Sequence, residues 1–234
     1  MPFPLSPYSD EFLVSIQRTV THERLQRYLT ATDKNLPNAL MLYEQNVALS
    51  ETMYGLLHGL EVSVRNAMDH HLKASFVRDD WYDVAPLTQY WRDKVNEAKD
   101  KFKDAHGVAL PGKVIAELTF GFWIDLTSTY YNNPLWLGRK LSAAFPNTTK
   151  PRHEIHSRMK EVQRLRNRIS HHERILTSRM QFYNGGRVFL TLDQVLECVD
   201  WVCADTAGWL KKRFRYADAQ RILNTIISIG GVRL

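Results

Sequence analysis

From Leu40 to Leu72 the apolar residues Leu40, Tyr43, Val47, Tyr54, Leu57, Val64, Met68 and Leu72 recur at three- and four-residue steps. That rhythm keeps them on one face of a 3.6-residue helix. Read on to Phe76, the segment predicts a helix of nearly forty residues, about 57 Å long at 1.5 Å per residue. Gly55 and Gly59 interrupt the pattern four residues apart, where a neighbour approaches closely or the helix bends. Helical periodicity dominates the remaining chain as well, and strand alternation is scarce. The expected fold is therefore all-α: a helical bundle of about seven or eight helices in a single compact domain.

Local signals mark its parts. Ser9 or Asp10 caps a first helix carrying Phe12, Ile16, Val20, Leu25 and Leu29. Further helices are expected over 86–106, 113–131, a short stretch around Leu135–Phe145, and from Arg152 onward. Asn184-Gly185-Gly186 signals a turn, with Arg187–Leu190 extended or forming a short strand. Leu192–Phe214 and Tyr216–Ile229 complete the helices. The expected parts are an N-terminal helix (1–35), the long helix with aromatic-rich helices (36–149), an Arg-rich helix (150–180) and C-terminal helices (181–234).

Composition removes several classes. With 234 residues, 44% of them apolar and 24% charged, the chain has material for a core and is neither disordered nor a disulfide scaffold. Its two cysteines, Cys198 and Cys203, lie five apart in a helical pattern and are expected as reduced, buried thiols. No apolar run approaches a membrane span, and Met1-Pro2-Phe3-Pro4 is unlike a signal peptide, so a cytoplasmic protein is expected.

The net charge of +6 is concentrated. Between Lys150 and Met180 stand nine basic residues, seven of them arginines, against three acids, so this segment holds the whole surplus. Arginine's planar fork matches phosphate oxygens, and a concentrated basic patch is the footprint of a polyanion site. A solvated helix face is the plainer alternative.

Within that segment runs Leu165-Arg166-Asn167-Arg168-Ile169-Ser170-His171-His172-Glu173. Arg166 and His171 form an Arg-x4-His pattern, here Arg-Asn-x3-His, similar to that of HEPN-domain ribonucleases. The chain resembles the Abi-like (abortive infection) family of bacterial HEPN proteins over most of its length. The residues carrying the resemblance include Leu60–Asn66, Trp81-Tyr82, Leu118–Trp123, Leu135-Trp136 and the Arg-Asn-x3-His-His element. It implies a ribonuclease acting in phage defence or as a toxin, with Arg166 and His171 catalytic. HEPN relatives pair two such domains, which implies a homodimer with a composite site on its axis. An RNA or protein antitoxin would be a further partner.

The residue chemistry suits that expectation. Asn167 and His171 lie one helical turn apart, and Arg166 about 140° around the helix from His171. Histidine serves as acid or base, and arginine stabilises charge growing on phosphate oxygens. Asn167 is read as orienting the motif, and His172 as supporting it or capping the helix end. Arg158, Arg164 and Arg168 are expected RNA contacts, unless acids pair with them. No metal or cofactor is expected: His153 and His156 lie too far along the helix from His171, His172 and Glu173 to share an ion.

Arg65, Asn66 and His70 repeat the motif's spelling on the long helix. They read either as a second half-site or as an anchor of that helix. The six tryptophans read as core, with stacking on RNA bases left to exposed ones. Two other functions fit less closely: a catalytically silent RNA-binding protein, and a helical factor binding an acidic partner.

Overall fold

The computed structural model describes residues 8–175, 182–183, 189–190, 192–213 and 217–222. The described residues are all-α apart from one minimal strand pair: β1 (Phe182–Tyr183) runs antiparallel to β2 (Phe189–Leu190), Phe182 facing Leu190. The Asn184-Gly185-Gly186 turn signal and most of Tyr216–Ile229 lie outside the described residues, as do Arg179 and Met180.

The expected first helix is two. Ser9 Oγ accepts from Phe12 N–H and caps α1 (Asp10–Thr19), and Thr21 Oγ1 accepts from Arg24 N–H and caps α2 (His22–Ala31). Thr21 offers its side chain to the backbone in place of a continued helix, which divides the segment there. α3 (Leu36–Phe76) is the long helix, 41 residues and about 61 Å, continuous through Gly55 and Gly59. Asn35 Oδ1 caps it by accepting from Asn38 N–H at 3.0 Å.

α4 (Gln89–Lys101) is shorter than the expected 86–106. Thr88 is extended at its start. Past its end, Asp104 Oδ1 accepts from both His106 and Val108 N–H at 2.8 Å, closing a turn with Gly107 at φ +77°. The expected 113–131 helix is broken as well. α5 (Pro111–Glu117) stops at Leu118, whose ψ of 127° is extended, and α6 (Phe120–Asp125) follows. A 3₁₀ turn (Thr129–Tyr131), a π-helical turn (Asn132–Leu137) and another 3₁₀ turn (Leu141–Ala144) lead to α7 (Arg152–Ser170). α8 (Leu192–Asp200) and α9 (Ala204–Arg213) follow the strands.

The chain divides into two compact units, each assembled from separate stretches. One comprises Met1–Leu57, Arg164–Val195 and Leu210–Leu234; the other comprises His58–Gln163 and Leu196–Trp209. The second unit is built on aromatic packing. Trp81, Phe122 and Trp123 are wholly buried, with Trp81 ring centroids 6.3 Å from Phe122 and 6.1 Å from Trp123. A Cβ at Gly121 would stand 2.8 Å from Gln163 Nε2, so glycine here spares the end of that flexible side chain a shift where α7 passes α6.

Of the tryptophans, Trp136 and Trp201 are also buried and Trp91 partly so, but Trp209 is 53% exposed. Cys198 is buried as expected, whereas Cys203 is only partly covered; both are free thiols. No helix among the described residues is long and apolar enough to cross a membrane.

Candidate nucleic-acid interface

The Arg-rich segment folds as α7 because Ile155, Met159, Val162, Leu165 and Ile169 give it one buried stripe, leaving the other faces to charge. The helix stops at Ser170, short of the expected 180, and the stop lies inside the motif. His171 N–H still donates to Asn167 O at 2.9 Å. His172 N–H then donates to Ile169 O at 3.0 Å and Glu173 N–H to Arg168 O at 2.8 Å. These two bonds are the paired closures of a Schellman motif, with His172 at the left-handed position that glycine usually fills. Its φ is +56°.

A non-glycine residue in that conformation stores strain, which persists when the side chain has a use. His172→Gly is expected to raise the unfolding free energy by up to about 1 kcal/mol. A chemical-denaturation midpoint checks this; a fall in stability would show that the imidazole supports the fold.

The helix end borders two cavities, both within the first unit. The polar one, 620 Å³, is lined by Arg24 and Arg27 of α2 together with Arg168, His172, Glu173 and Arg174. The more apolar one, 790 Å³, is walled by Tyr43, Val47 and Tyr54 of α3 against Ile169 and His172. Arg24 and His172 line both. Asn46 ties the motif's exit to α3, its Oδ1 accepting from Ile175 N–H at 2.8 Å.

The expected site residues separate into groups. Arg168, His172 and Glu173 meet at the polar cavity, and Arg168 Nη1 lies 3.1 Å from Glu173 Oε2. Arg164, Asn167 and His171 are exposed and Arg166 is half-buried; Arg166 and His171 line neither cavity. Arg158 is held by acids, 3.3 Å from Glu161 Oε2 and 3.7 Å from Glu197 Oε2. Of the expected RNA contacts, Arg158 and Arg168 thus both have acid partners. In the second unit, Arg65 Nε donates to Asn66 Oδ1 at 3.1 Å, and His70 is exposed. Asp69 Oδ1, inside that repeated motif, accepts from Trp81 Nε1 at 2.8 Å, and His71 Nε2 lies 2.7 Å from Arg139 O.

Among the described residues no group of three His, Cys, Asp or Glu side chains is placed to hold a metal. His156 Nδ1 is instead 2.9 Å from Thr127 Oγ1, and burial holds its imidazole below the usual histidine pKa.

Sequence reasoning overlooked Arg24, Arg27, Tyr43 and Tyr54 as site residues. Arg24 and Arg27 carry an i,i+3 signal, and Tyr43, Val47 and Tyr54 share one helical face. An apolar stripe facing a cavity has the same period as one facing a core.

No curated protein and no solved structure matches this sequence. A family model does, described as Abi-like protein and matching residues 3–177, a span that includes α7 and the whole Arg-Asn-x3-His-His element. On that match, extending over about three quarters of its length, the chain belongs to the Abi-like protein family.

Proposed function

We propose that this protein is a metal-independent endoribonuclease of the HEPN type, acting in abortive infection against phage. The observation that carries the reading is the Arg166–His171 element ending α7, beside a cavity where Arg24, Arg27, Arg168 and Arg174 converge. Four guanidinium groups against the two carboxylates of Glu23 and Glu173 leave the cavity with a surplus of positive charge, which suits a polyanion. In this reading His171 moves the proton of the ribose 2′-hydroxyl or of the leaving 5′-oxygen, and Arg166 stabilises the charge on the phosphorane. The 2′-oxygen attacks phosphorus as the P–O5′ bond breaks, leaving a 2′,3′-cyclic phosphate and a 5′-hydroxyl.

One motif supplies one imidazole, while in-line displacement needs groups on both sides of phosphorus. A two-fold homodimer duplicates each group without new sequence, and we take that as the working assembly. The repeated motif at Arg65–His71 is assigned a structural part, because Asp69 and His71 are committed to Trp81 and to the Arg139 carbonyl.

The test is incubation of the purified chain with RNA in EDTA, with analysis of the product ends. Cyclic phosphate and 5′-hydroxyl ends are expected; abolition of cleavage by EDTA would overturn the mechanism. RNA binding without cleavage would favour the silent, RNA-binding alternative.

Binding should also fall with salt, log affinity declining linearly with log salt by about 0.7 per phosphate neutralised on a single strand. Arg164→Glu and Arg168→Glu should weaken binding and flatten that slope. Arg158→Ala should leave it unchanged, because that guanidinium is paired with Glu161 and Glu197 and, unlike Arg168, lines neither cavity. A salt titration by fluorescence anisotropy reads all three.

A further inference from the structure

We propose that the apolar cavity beside His172 is a stacking slot for one unpaired nucleotide of the RNA, with Tyr54 as its stacking platform. The inference rests on the ribonuclease reading and adds to it the form of RNA the site accepts.

Tyr54 is 63% exposed although it lies in the apolar pattern of α3, and Val47, on the same face, is 39% exposed. A large aromatic ring left in water beside a 790 Å³ cavity has its hydrophobic area still to bury. The volume lies in the range of small-ligand sites. Tyr43 forms the inner wall and is braced edge-on by the buried Tyr28, ring centroids 5.7 Å apart, so that wall is held in place before anything binds.

The choice of occupant follows from the two cavities together. The apolar slot and the arginine-lined cavity share Arg24 and His172. A charged trough beside an aromatic platform is the arrangement that holds single-stranded nucleic acid: backbone phosphates in the trough, a base on the ring. The polar cavity sets four arginines against Glu23 and Glu173, a surplus of positive charge, whereas in the slot Glu51 offsets Arg24 and can accept from the amino group of a base. The phosphates are therefore assigned to the Arg24 side and the base to the Tyr54 side. A base paired within a duplex keeps its faces stacked on its neighbours and cannot enter, so the slot selects unpaired RNA.

The experiment uses the full chain carrying His171→Ala, which keeps RNA intact during titration. It compares a fluorescein-labelled unstructured RNA oligonucleotide with a perfect RNA duplex. Adding Tyr54→Ala should weaken single-strand binding about 5- to 150-fold, the range for losing one base–aromatic stack. Tyr54→Trp should restore it, duplex binding should be unchanged, and the salt slope should stay constant because no phosphate contact is lost. Tyr54 is largely exposed, so the thermal midpoint should not move; a fall of several degrees on Tyr54→Ala would instead identify the ring as part of the fold and overturn the slot. Equal loss for single strand and duplex would also overturn it. Unchanged single-strand binding would do so too, as expected if a protein partner covers the groove, and would leave the ribonuclease reading standing. If the chain with Tyr54 intact binds no RNA at all, the ribonuclease reading falls and the slot with it.

Discussion

His171→Ala is expected to lower RNA cleavage by about 100- to 10,000-fold, the span over which a positioned acid or base contributes. Arg166→Ala should cost a comparable factor by removing the charge that meets the phosphorane. Both changes should leave the fold in place. His171 is exposed, and the bond at its position runs from its backbone N–H to Asn167 O, which alanine retains. Initial cleavage rates measured alongside circular dichroism separate chemistry from unfolding. Cleavage that survives His171→Ala would remove the mechanism. Mixing the two variants extends the test to the assembly. If the site is composite, a mixed dimer still holds one Arg166 and one His171 and recovers activity that neither variant has alone. No recovery, together with a monomeric molecular mass by light scattering, would end the homodimer model.

The second large effect concerns stability. Trp81→Ala should destabilise the chain by about 3–5 kcal/mol, because it empties a fully buried site against Phe122 and Trp123. Trp81→Phe should cost less. It keeps much of the ring but removes the Nε1–H bond to Asp69 Oδ1, a bond to a charged group worth about 1.5–3 kcal/mol. Lys73, 2.9 Å from Asp69 Oδ2, still partners the carboxylate in both variants. Urea denaturation curves give the series. The same measurement bears on the repeated motif. If Arg65–His71 anchors α3, then Asp69→Asn should lower stability while cleavage persists under conditions where the chain stays folded. Selective loss of cleavage with unchanged stability would return that copy to the catalytic machinery.

Local signals in the sequence were sufficient for the all-α class, the run of α3 to Phe76, the cap at Ser9, and the stripe from Ile155 to Ile169. These depend on contacts within a few residues, where periodicity and capping act directly. The Arg-Asn-x3-His-His element was equally legible, because it is contiguous and carries the family resemblance in its own letters. Where helices end was less so. The breaks at Val20, Leu118 and His172 each replace a helical turn that the apolar pattern would have tolerated. At His172 the left-handed backbone occupies a place where no glycine announces it.

The partners of the arginines were legible only in part. Arg158 and Arg168 differ little in sequence context. Yet Arg158 is held between Glu161 and the distant Glu197, while Arg168 turns its pair with Glu173 toward a cavity shared with α2. Tyr54 makes the same point for the apolar residues. Its spacing is that of a core position, and only the packing of α3 against the end of α7 leaves it facing a groove. Helical period reports which residues share a face. What that face meets depends on chain segments more than a hundred residues away, and so it was decided only when the tertiary structure brought them together.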